Sequence, residues 1–129
     1  MQLPRLFLAL GAASGGVSVV LGAFAAHALK ERLDAAALGT FHTGVTYQFF
    51  HSVALCLVAV WLRQLGREGV DGDPAVVAGF AFIVGILLFS GSLYGLSLGA
   101  PRWLGPVTPF GGLAFIIGWA SFAWSAWRS

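Results

Sequence analysis

Charged side chains divide this 129-residue chain into four long stretches that carry none. Apart from Arg5 and Arg128 near the ends, every Asp, Glu, Lys and Arg falls in three short patches. These are Lys30, Glu31, Arg32 and Asp34; then Arg63, Arg67, Glu68, Asp71 and Asp73; then Arg102 alone. The stretches between them are Leu6–Leu29, Ala35–Leu62, Pro74–Pro101 and Trp103–Trp127. A helix needs about 20 apolar residues to cross a ~30 Å hydrocarbon core. Each Asp, Lys or Arg at its centre costs about 2.5–3.5 kcal/mol. Four such gaps predict an all-α fold, an integral membrane bundle of four transmembrane helices in a single domain covering 1–129.

Composition points the same way. Hydrophobic residues make up 58% and charged residues 9%, against about 45–50% and about 25% in soluble domains. Twelve ionic side chains cannot cover the water-exposed surface of a soluble domain this small. Seven basic residues against five acidic ones give no clustered basic face, so no nucleic acid is expected as a partner. The one cysteine, Cys56, excludes an intrachain disulfide and any multi-cysteine zinc site. The expected partner is the lipid bilayer.

Local signals place the helices at about 5–29, 40–63, 74–98 and 108–127. Asp73-Pro74 and Thr108-Pro109 each read as an N-cap acceptor followed by proline at the first helical position. Gly99 and Pro101 stop the third helix. The second starts at a cap supplied by Asp34 or Thr40 and ends near Arg63. Residues 29–39 read as a short amphipathic connector on the membrane surface. Trp61, Trp103, Trp124 and Trp127 fall at interfaces, where amphipathic rings are favoured; Trp119 falls inside a span and reads as ordinary packing. The first apolar run exceeds a signal-peptide core, so it is expected to be a retained helix. Four spans put both termini on one side. That side carries Arg5, Arg63, Arg67 and Arg128, against Lys30, Arg32 and Arg102 on the other, which favours cytoplasmic termini.

Small residues recur at helical spacing. Gly11, Gly15, Ser18 and Gly22 form one stripe, and Gly91, Gly95 and Gly99 another. Such stripes let helix backbones approach closely. They serve either internal packing of the bundle or a homo-oligomer seam through Gly11, Gly15, Gly22, Gly91 and Gly95.

No Asp or Glu lies inside a span, and neither a nucleotide-binding loop nor a metalloprotease motif is present. The candidate chemistry sits on the second helix, Phe41 to His51. At 100° per residue Thr43, Tyr47 and His51 fall within about 80° of one another, with Gly44 and Gln48 flanking them. His51 lies near the middle of its span, where an unsatisfied polar group costs several kcal/mol. This face is therefore expected to turn inward. Its bland role is a hydrogen bond from His51 to Tyr47, Gln48, Ser90 or Ser92. Its functional alternative is a proton relay or a pocket for a quinone- or lipid-like molecule. A further alternative is a haem-binding redox module using His27 and His42, which lie near one membrane face. Without carboxylates around them, these two histidines form a weak ligand signature, so neither metal nor cofactor is expected.

Several blocks together resemble a known family. Gly22-Ala-Phe-Ala-Ala-His27-Ala-Leu-Lys30, Thr43-Gly-Val-Thr-Tyr47-Gln48-Phe-Phe-His51, Ser90-Gly-Ser-Leu-Tyr94, Arg102-Trp103-Leu-Gly and Thr108-Pro109-Phe-Gly-Gly112 occur in this order. They are similar to the YgdD-like family of small membrane proteins, domain of unknown function 423, to which eukaryotic transmembrane protein 256 is related. Ala25 stands where the family pattern suggests glycine. The resemblance implies a four-helix protein of the bacterial inner membrane with no established activity. It also marks His27, Thr43, Tyr47, Gln48, His51, Ser90 and Tyr94 as candidate ligand-binding positions, with Arg102, Thr108 and Pro109 as further positions of interest. The function expected is that of a non-enzymatic bundle that oligomerises or assists a membrane assembly.

Overall fold

A computed structural model describes residues 2–129. It contains four helices long and apolar enough to cross a membrane. These are α1 (Gln2–His27), α2 (Ala35–Glu68), α3 (Asp73–Ser97) and α4 (Val107–Arg128). Short 3-10 turns at Leu29–Glu31 and Arg102–Leu104 lie in the connections. The all-α bundle expected from the charge gaps is the architecture observed.

The helix ends differ from the expected ones for local reasons. Asp34, rather than Thr40, caps α2: its carboxylate accepts the Ala37 N–H at 2.8 Å. Thr40 lies inside the helix and donates back to the Ala36 carbonyl. Residues 35–39 are thus helical, and the 29–39 connector shrinks to the turn before Asp34. Leu29 anchors that turn by burying itself with Ala25 and Phe41. At its other end α2 passes Arg63 and runs to Glu68. There Gly69 takes the left-handed conformation (φ 69°) that closes a helix at low cost. At 34 residues α2 is about 51 Å long, so its charged last turns extend past the hydrocarbon.

Two proposed caps are also corrected. Gly72 occupies the cap position of α3, Asp73 is its first residue, and the Asp71 carboxylate accepts the Asp73 N–H at 3.0 Å. Helix α4 begins at Val107, one residue before Thr108. Pro109 still sits in the first turn, where a missing N–H is harmless. The third span is not one regular helix: Ile86–Ser90 forms a π-turn within it. There the main chain of Phe89 presses on Gly111 of α4, where no Cβ would fit.

Helix α1 packs along α2, and α3 packs along α4, while α2 also lies against α3. Phe7, Leu55, Val58, Phe82 and Phe115 are buried in the main core. The rings of Phe82 and Phe115 occupy the space that side chains would take at Gly118 and Gly85. The stripe on α1 faces the chain's own α2. A Cβ on Gly11 would come within 2.7 Å of Cys56 Sγ, and one on Gly22 within 3.5 Å of Val45. Gly95 lies beside Leu104, whereas Gly91 borders open space.

Candidate functional site

Helix α2 carries the buried Gln48, His51 and Ser52, and its side chains bond to all three other helices. Its inward line is Gly44, Gln48, His51, Ser52 and Leu55, all buried. Thr43 is exposed and turns its hydroxyl back to the Gly39 carbonyl at 3.0 Å. Tyr47 is 41% exposed. Of the expected inward trio Thr43, Tyr47 and His51, only His51 therefore enters the core. The three do share one side of the helix, but α2 is apolar around most of its circumference. Spacing alone could not fix its rotation.

Gln48 bridges three helices. Its amide nitrogen donates to the Ser14 carbonyl of α1 at 2.9 Å, and its amide oxygen accepts the Tyr94 hydroxyl of α3 at 2.5 Å. Ser52 donates to Ser14 Oγ at 2.7 Å, extending the link to α1. One turn toward the N-terminus of α2, fully buried Ser90 donates to the Gly44 carbonyl at 2.7 Å. The Tyr94 ring packs on Phe41.

His51 makes the second bridge, to α4. Its Nδ1 lies 2.7 Å from the Tyr47 carbonyl, and its Nε2 accepts the Trp119 indole N–H at 3.0 Å. A carbonyl only accepts and an indole N–H only donates. The ring is therefore the neutral tautomer with its proton on Nδ1. It stacks on Phe115 with centroids 3.6 Å apart, and Phe82 and Trp119 flank it. Trp119, read from sequence as ordinary packing, is the partner that His51 requires. The available signal was a tryptophan in mid-span, away from both interfaces, whose N–H needs an acceptor.

Two further ties close the bundle. Trp61 donates to Ser125 Oγ at 2.9 Å, joining α2 to α4, and Ser92 pairs with Thr108, joining α3 to α4. Among the described residues every buried side-chain nitrogen and oxygen has a partner. Of the expected site residues, Gln48 and Tyr94 thus meet within the bundle, Ser90 bonds to the α2 main chain at Gly44, and His51 pairs separately with Trp119. Thr43 does not join them, and His27 is exposed at the end of α1. No group of three potential metal ligands occurs among the described residues. Beside the His51–Trp119 pair a groove of about 600 Å³ opens outward, with Tyr47, Phe89, Gly112 and Phe115 along it.

The chain matches the family model described as "Protein of unknown function (DUF423)" over residues 21–112. A UPF0382 membrane protein of Haemophilus influenzae is 42% identical over 95% of this chain and 94% of its own length. The UPF0382 membrane protein YwdK of Bacillus subtilis is 42% identical over 89% of this chain and 90% of its own. The UPF0382 inner membrane protein YgdD of Escherichia coli is 39% identical over 90% of this chain and 85% of its own. No solved structure matches the chain. With four membrane-length helices and relatives aligned over nearly their whole length, this chain belongs to the DUF423 family of membrane proteins of unknown function.

Proposed function

We propose that the chain is a non-enzymatic integral membrane protein, a structural or assembly element of the inner membrane with both termini on the cytoplasmic side. The observation that carries this reading is the closure of its polar network. Both ends of the Gln48 amide bond to neighbouring helices, and the two ring nitrogens of His51 are taken up by the Tyr47 carbonyl of α2 itself and by Trp119 of α4. No carboxylate shares the span with them, so a proton or cation relay lacks the usual second group. The inner-membrane location follows the name of the Escherichia coli relative. Proteoliposomes holding the full chain and an entrapped pH dye test the reading. Proton entry no faster than in empty vesicles is the expected result; flux that disappears in His51→Leu would overturn it.

A second reading, a site for a quinone-like small molecule, is favoured by the groove beside His51. Its volume of about 600 Å³ lies within the range of ligand pockets, and aromatic rings border it. Solvent extraction of protein purified from its native membrane tests this directly. A stoichiometric quinone supports the second reading, and its absence supports the first.

A further inference from the structure

We propose that the crevice between α3 and α4 holds a phospholipid with a primary-amine head group. The head group sits at the Asp71–Arg128 end, and one acyl chain runs along the apolar trough below it. The crevice has two parts. The outer part, about 550 Å³, is lined by Asp71, Asp73, Ser121, Trp124 and Arg128. The inner part, about 390 Å³, is lined by Val76, Phe80, Val84, Ala114 and Ile117. Val77 lines both, so the two adjoin at that side chain.

The dimensions suit a lipid in one leaflet. Arg128 and Ala114 are fourteen residues apart on α4, which at the helical rise is about 21 Å. A ~30 Å hydrocarbon core gives each leaflet roughly half that thickness. The crevice thus reaches from the head-group layer to the level of the midplane. Trp124, 57% exposed, marks the interfacial depth that indole rings favour.

The charges select the head group. Arg128 donates to the Asp71 carboxylate at 2.9 Å and to the Asp71 carbonyl at 3.2 Å. Both bonds come from one guanidinium nitrogen, which leaves other N–H donors of the fork for a phosphate. One arginine balances only one of the two carboxylates lining this end. The Asp73 carboxylate remains as an acceptor for a cation. A primary ammonium beside a phosphate supplies three N–H donors at the required side. A choline head group has the charge but no N–H, and a glycerol head group leaves the lipid anionic beside Asp73.

Native mass spectrometry of the full chain tests this, using equal amounts of phosphatidylethanolamine, phosphatidylcholine and phosphatidylglycerol with identical acyl chains. The ethanolamine lipid should be retained about fivefold over either competitor, the scale of one exposed charged contact of about 1 kcal/mol. Asp73→Asn should remove that preference. Val77→Trp, at a lipid-facing position 49% exposed, should fill the trough and reduce retention without lowering the melting temperature. Equal retention of the three lipids, or a preference that survives both variants, would overturn the assignment.

Discussion

The indole N–H of Trp119 ends on Nε2 of His51, 3.0 Å away, and with the Tyr47 carbonyl on the opposite side of the ring it leaves His51 one tautomer. The pair ties the middle of α2 to α4 inside an aromatic cage of Phe82 and Phe115. Trp119→Phe keeps a ring but removes the donor, and should destabilise the bundle by about 0.6–1.7 kcal/mol, the range of hydrogen bonds between membrane helices. His51→Ala also removes a stacked ring from the core and should cost about 2–4 kcal/mol. A double-mutant cycle, read by reversible unfolding in mixed micelles, should give a coupling of about 0.5 kcal/mol or more. Additive losses would show that the two side chains do not interact.

Gln48 should behave as a three-helix tie. Gln48→Leu takes the acceptor from the Tyr94 hydroxyl and the side-chain donor from the Ser14 carbonyl, at a cost of about 1–3 kcal/mol. Tyr94→Phe in that background should be close to neutral, because the hydroxyl has already lost its acceptor. Thermal melts of the two single variants and the double variant check this pattern.

Glycines separate cleanly by what surrounds them. A Cβ on Gly85 would overlap the Phe115 ring, and one on Gly118 would lie 2.6 Å from Phe82. Gly85→Ala and Gly118→Ala should each destabilise by about 1–3 kcal/mol through overpacking. Gly91 borders open space, so Gly91→Ala should change stability by no more than about 0.5 kcal/mol. Parallel melts of the three variants test the contrast.

The Asp71 carboxyl is held below the usual carboxylate range, first by the Asp73 main-chain N–H and then by the Arg128 guanidinium. A depressed pKa means that the contribution is present above the ordinary value of about 3.9 and is lost as pH falls through the lower folded value. The last turn of α4 should therefore remain tied to the α2–α3 connection at neutral pH and loosen only in acid. Amide exchange at Trp127 and Arg128, corrected for the intrinsic pH dependence, should lose protection below about pH 4. Arg128→Gln should show the loose state at all pH values.

How much of this was legible in the sequence depended on the kind of signal. The spacing of charges from Arg5 to Arg128 specified four spans, because ions are excluded from hydrocarbon whatever the packing. Rotation about each helix axis was not specified. In α2 both faces are apolar, so nothing local told that Gln48 and Ser52 turn inward while Thr43 turns out. Asp34 and Thr40 were equivalent as caps until the turn at Leu29 fixed where the chain enters α2. The π-turn at Ile86–Ser90 reflects contact between α3 and α4, which a one-dimensional pattern does not encode. Trp119 was visible as a tryptophan away from the interfaces, yet its partner appears only when α2 and α4 are brought together.

The central claim, that the intramembrane polar residues bind helix to helix, is tested most directly at His51. Ring nitrogen spectra of selectively labelled full chain in lipid nanodiscs report which nitrogen carries the proton. The account predicts a protonated Nδ1, an unprotonated Nε2, and a correlation from Nε2 to the Trp119 indole proton. A proton on Nε2, with no contact to Trp119, would contradict it.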